Sequence, residues 1–140
     1  MKRVYFTDRD LGKQFARVLA DAGIEVERHG DLFAPEGTDV EWLEHCGVNG
    51  RVAISHNSRI RYVPNELAAV QRFNVSLLIV VGKSTTAALA HNFVRTRFRI
   101  EAMLEAHAPP LIAKVYQPTP SEAAASVCAA GRVQVWFPKR

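Results

Sequence analysis

Val75-Ser76-Leu77-Leu78-Ile79-Val80-Val81 is the stretch that decides the fold. It reads as one continuous apolar run, too short for a buried helix of ordinary length and bounded by Asn74 and Gly82. A run without polar alternation belongs to a strand covered on both faces, which is the environment of a parallel sheet flanked by helices. Strand and helix signals alternate on either side of it. Upstream, Val4-Tyr5-Phe6 is a short strand. It leads into an amphipathic helix with Leu11, Phe15, Val18, Leu19 and Ala22 at helical spacing, closed by Gly23. Ile24 to Arg28 follows as a strand, and Gly30 to Thr38 as a loop rich in Gly, Pro and acid. A short helix runs from Asp39 to Cys46, stopped by Gly47. Arg51 to Ser55 is a strand, and Pro64, Asn65 and Glu66 open a helix through Phe73. Downstream, a long helix is expected from Thr85 to His107, with Leu89, Phe93, Ile100 and Leu104 on one stripe and Pro109-Pro110 behind it. Leu111 to Tyr116 and Arg132 to Phe137 read as two strands able to pair as a hairpin. The Pro- and Ala-rich connection between them is too long for a tight turn, so a short helix or a mobile loop is expected there. The alternation predicts a single domain over residues 1–140, a three-layer α/β/α sandwich with a mainly parallel sheet and a C-terminal β-hairpin.

Composition is consistent with one folded core. The chain has 140 residues, 48% of them hydrophobic and 23% charged, so it can bury a core without disulfides or structural metal. Its two cysteines, Cys46 and Cys128, are far apart and form no C-x-x-C pair, which argues against a disulfide framework or a zinc site and for a reducing cytoplasm. No apolar run reaches the length of a membrane span, and Met1-Lys2-Arg3 runs straight into the first strand without a targeting segment. A formal net charge of +4 favours an anionic partner but cannot choose between RNA and DNA.

The residues that carry chemistry fall at strand ends. Thr7-Asp8-Arg9-Asp10 follows the first strand, Asp39 starts a helix, and Ser55-His56-Asn57 follows the third strand. In a parallel sheet these ends share one edge, beside the crevice where open α/β sheets bind ligands. Helix capping accounts for each acid singly: Asp8 and Asp10 at a helix start, Asp39 inside a Thr38 to Glu41 capping box. Capping gives no reason for the acids to meet. Two carboxylates about 5 Å apart repel by roughly 3 kcal/mol at an effective dielectric near 20, so such a cluster takes up protons or binds a cation. An all-oxygen set suits Mg2+ or Mn2+, which can polarise a phosphodiester. His56, Arg59, Arg61 and Lys83 are candidates to touch phosphate. For His56 the alternative is a solvated loop side chain, and for the arginines a solvated basic surface. Gly82-Lys83-Ser84-Thr85 is not a P-loop, because the earlier glycine it requires would stand at Leu77. No G-x-G-x-x-G or G-x-S-x-G occurs, and His29, His45, His91 and His107 lack metal-binding spacing.

The chain resembles a PIN-like domain, in particular the group related to VapC-type toxins. The resemblance covers most of the chain. It is carried by Phe6-Thr7-Asp8-Arg9-Asp10-Leu11-Gly12, by Thr38-Asp39-Val40-Glu41-Trp42-Leu43, and by Val52 to Arg61. Pro64-Asn65-Glu66-Leu67, Asn92-Phe93-Val94 with Arg99-Ile100, and Pro109 to Tyr116 add to it. It implies a Mg2+- or Mn2+-dependent ribonuclease acting on RNA, often encoded beside an antitoxin protein that blocks it. Asp8 and Asp10 match the first acidic motif, Asp39 the second acidic position, and Asn57 the place where an acid is commonly expected. The resemblance thus implies Asp8, Asp10 and Asp39 as metal ligands and Asn57 as a fourth catalytic position with a neutral oxygen. Asn57 is the departure from the pattern, and it favours an alternative in which a catalytically weakened PIN-like protein binds RNA or an antitoxin without cleaving. Exposed faces are compatible with a homodimer, although no residue pattern establishes one.

Overall fold

The computed structural model describes residues 3–57 and 63–138. Its six-stranded sheet has the order β2-β1-β3-β4-β5-β6. The strands are β1 (Val4–Thr7), β2 (Glu25–Arg28), β3 (Val52–Ser55), β4 (Ser76–Val80), β5 (Leu111–Tyr116) and β6 (Arg132–Phe137). All pairings are parallel except β5 with β6, which are antiparallel, so the expected hairpin partners do meet. Between the strands lie a 3-10 turn (Arg9–Leu11) and the helices α1 (Gly12–Asp21), α2 (His29–Leu32), α3 (Asp39–Asn49), α4 (Pro64–Arg72), α5 (Thr86–Ala106) and α6 (Pro120–Ala125).

The apolar strands are explained by two cores, one on each face of the sheet. On one face Tyr5, Ile54, Leu78 and Ala113 pack with Leu11, Phe15 and Leu19 around α1 and with Phe93 and Ile100 of α5. On the other, Phe6, Ala53, Leu77 and Ile112 pack with Trp42, Leu43 and Cys46 of α3 and with Ala69 and Val70 of α4. Successive strand residues therefore point into opposite cores, and both kinds must be apolar. Phe6 stacks on Trp42 with centroids 5.6 Å apart, fixing the start of α3 against β1.

Two local readings need correction. Gly47 does not stop α3. The helix runs on to Asn49 and ends at Gly50, whose φ of 68° is the left-handed conformation of a C-terminal cap. A Cβ at Gly47 would collide with the backbone oxygen of Phe73, at the end of α4, so this glycine lets two helices approach closely. The stretch Gly30 to Thr38 is also not wholly loop, because α2 makes one turn at its start. Between β5 and β6 the short helix is α6, opened by a reciprocal capping box of Thr119 and Glu122. No helix among the described residues is long and apolar enough to cross a membrane.

Candidate active site

The carboxyl ends of β1 and β3 are adjacent, since Thr7 pairs with Ile54. The chain leaving β1 stays tied to β3 through the Asp8 amide, which donates to the Ile54 carbonyl at 2.9 Å. Asp8 is only 4% exposed. Its Oδ1 caps the following turn by accepting from the Arg9 amide at 2.7 Å, and its Oδ2 accepts from the Ser55 hydroxyl at 3.0 Å. Capping and convergence therefore both hold for Asp8, one oxygen serving each.

Ser55 is the joint of the site. Its hydroxyl has one proton, given to Asp8, and it accepts the Asn57 amide N–H at 3.0 Å while standing 3.5 Å from Asp10 Oδ2. Asp10 takes the His56 amide N–H at 3.2 Å. The His56 ring meets the Gly82 carbonyl through Nε2 at 2.8 Å. A carbonyl only accepts, so Nε2 carries the hydrogen there. His56 thus bridges the ends of β3 and β4, and exposed Lys83 follows directly on the same edge. Arg59 and Arg61 lie outside the described residues.

Asp39 enters from α3. Thr38 caps that helix, and Asp39 Oδ1 accepts from the Trp42 indole N–H at 2.9 Å. Glu66, in the first turn of α4, comes close enough to Asp39 for the two carboxyl groups to act on each other, and its Oε2 is buried without a hydrogen-bonding partner.

The electrostatics join these groups into one cluster. Burial is the main cause of every upward shift, with neighbouring charge adding to it. Asp8 is raised by burial and, less strongly, by Asp39, against the Ser55 and Arg9 hydrogen bonds that lower it. Asp10 is exposed as a residue, but desolvation of its carboxyl and the charge of Asp8 push it up to about 6, with Asp39 contributing. Glu66 is pushed up to about 7 by burial, by its close approach to Asp39, and by the charge of Asp8. Residues from four segments of the chain are thus close enough to feel one another. Glu66 is the site residue that sequence reasoning missed. Its signal was an acid in a helix first turn, the same pattern as Asp39, but without the fold nothing aligns the starts of α3 and α4.

Among the described residues, no group of three or more His, Cys, Asp or Glu side chains is drawn together tightly enough to grip an ion directly. A divalent cation nevertheless fits the donor chemistry. The donors are all oxygen, and one buried carboxylate oxygen, Glu66 Oε2, is unsatisfied. Mg2+ commonly takes only one or two protein carboxylates and keeps several waters, so a loose ring suffices.

The raised acids also set a pH dependence. A carboxyl group whose pKa is higher in the folded than in the unfolded chain favours folding while protonated, and that contribution fades as pH rises from about 4, the unfolded value, through the folded one. With folded values of about 6 for Asp10 and about 7 for Glu66, metal-free protein should lose thermal stability between pH 5 and 7.5. Melting curves in EDTA across that range check this, and Asp10→Asn should flatten the slope. A melting temperature that climbs steadily with pH would contradict the clustering.

A parallel α/β sheet with acids gathered at its carboxyl edge is an arrangement that nuclease-type folds share with other ligand-binding α/β folds. The PIN like domain family model matches residues 3–82, more than half of the chain, and the chain belongs to that family. The matched segment holds Asp8, Asp10, Asp39, Ser55, His56, Asn57 and Glu66. No curated protein and no solved structure matches the chain.

Proposed function

We propose that this protein is a Mg2+- or Mn2+-dependent endoribonuclease of the VapC-like toxin type, acting in the cytoplasm and held in check by a cognate antitoxin. The observation that carries this reading is the meeting of Asp8 and Asp10 over Ser55 and the His56 amide at one sheet edge, with Asp39 near enough to raise both. Asp8, Asp10 and Asp39 hold the cation, Glu66 supplies the fourth carboxylate, and Asn57 contributes a neutral oxygen or a hydrogen bond. When bound, the cation supplies Lewis acidity for phosphodiester hydrolysis.

The chain's own residues do the rest. Ser55 fixes the Asp8 carboxylate by its hydroxyl and the Asn57 backbone by accepting its N–H. His56, Lys83, Arg59 and Arg61 engage substrate phosphates. The Asn57 amide favours one rival, a PIN-like protein that binds RNA or an antitoxin without cutting, because it lowers the charge available to the cation.

Cleavage of a mixed RNA pool, followed against metal concentration, tests the proposal. The wild type should cut slowly, need millimolar Mg2+ or Mn2+, and stop in EDTA. Asn57→Asp should cut faster at lower metal concentration. Metal-independent RNA binding with no cleavage by either form would leave the binding protein standing instead.

A further inference from the structure

Helix α1 carries its cations where they help the fold least. Arg9 lies in the 3-10 turn before it, across Gly12, whose φ of 66° is not helical, and Lys13 and Arg17 stand four residues apart on one exposed face of the helix. Lys13 is in the first turn, at the positive end of the helix dipole, which disfavours a cation and attracts anions. Ion pairing does not offset this arrangement. The first turn of α1 has no acid, and Arg9, Lys13 and Arg17 make no ion pair among the described residues.

The same face borders a groove of about 400 Å³ between α1 and the edge strand β2. Ala16, Ala20 and Val26 line it with three cations, Lys13, Arg17 and Arg28, and one acid, Asp31. Arg28 is partly neutralised by Asp31 at 3.1 Å. Arg28 also lines a second hollow, of about 80 Å³, together with Asp8 and Arg9. Arg28 thus lines both depressions, which puts the groove beside the end of β1 where Asp8 stands. From Lys13 to Arg17 the helix advances about 6 Å, so the two cations stand about one turn apart along the groove.

We infer that this groove is a track for a nucleic-acid strand whose next stretch reaches the acid cluster, its phosphates paired with Lys13, Arg17 and Arg28. The inference rests on the nuclease reading for what happens at the end of the track, but binding along it does not. Phosphate contacts of this kind position a strand without reading its sequence. RNA and DNA share the backbone chemistry, and the test separates them.

Anisotropy of a fluorescein-labelled oligonucleotide, in RNA and DNA versions, is measured with Ca2+ replacing Mg2+ over a series of salt concentrations. Lys13→Glu with Arg17→Glu should weaken binding at least tenfold and make the salt dependence shallower by about 1.4 in log Kd per log salt, two phosphate contacts at ~0.7 each. Arg72→Glu with Arg95→Glu, the same change in net charge on other helices, should leave affinity within about twofold of wild type. Both positions in α1 are exposed, and a thermal melt verifies that each double variant folds. If Lys13→Glu with Arg17→Glu binds like the wild type or like the control while the wild type cleaves RNA, the track is overturned and the nuclease stands. Binding that depends on Lys13 and Arg17 without cleavage upholds the track and removes the nuclease. Wild-type protein that binds neither oligonucleotide overturns the track.

Discussion

Asp8→Asn is expected to lose the thermal stabilisation that Mg2+ or Mn2+ gives the wild type, and to cut RNA at least roughly 100-fold more slowly, the upper range for losing even an outer-shell partner of a metal. At a metal concentration about 100 times Kd, binding stabilises the folded chain by about 2.7 kcal/mol, or roughly 8 °C for a domain of this size. The substitution removes a buried charge that repels Asp10 and Asp39, so without metal the variant should melt no lower than the wild type. Its amide can still accept from the Arg9 N–H and donate to Ser55. The pair of results separates loss of a ligand from loss of the fold. Scanning calorimetry of both proteins in EDTA and in Mg2+ makes the comparison, and equal metal shifts in the two would move the ion away from this edge.

Gly47→Ala is the second large effect. In an open helix the change would gain about 1 kcal/mol from propensity. Here the new methyl meets the Phe73 backbone oxygen and Cβ, and a backbone atom cannot swing away as a flexible side chain could. Overpacking of this kind costs about 1–3 kcal/mol, sometimes more, so the expected net result is destabilisation by about 2 kcal/mol, or roughly 6 °C. Gly50→Ala is the internal comparison. A Cβ there meets nothing within 4 Å, and only its φ of +68° is unfavourable, so it should cost less. Melting temperatures in the opposite order would show that α3 and α4 can separate at little cost.

The elements legible in the sequence were those whose signal is local. Val75 to Val81 announced a strand covered on both faces because each of its side chains had to suit one core or the other. Asp8, Asp10 and Asp39 announced strand ends and helix starts, since capping uses the same residues. Long-range relations were not legible. Ser55 is an ordinary strand residue until β1 brings Asp8 to its hydroxyl, and Glu66 is an ordinary first-turn acid until α4 lies beside α3. Gly47 was misread for the same reason: a glycine that ends a helix and one that admits a neighbouring helix look alike until the neighbour is in place. Arg9, Lys13 and Arg17 went unremarked because a cationic helix face acquires meaning only from the groove beside it.

Trp42 gives the cluster an optical readout of its own. Its indole N–H is bound to Asp39 Oδ1, while its ring stacks on Phe6 and is fully buried. A cation drawing charge from Asp39 would weaken that hydrogen bond without moving the ring, so the emission of a shielded fluorophore would change in colour or yield while its exposure stayed constant. The chain has two tryptophans, and the other, Trp136, stands on β6 across the sheet from β1. Occupancy of the carboxyl edge can therefore be followed in unlabelled protein, with Trp136 as a built-in reference and no need for substrate.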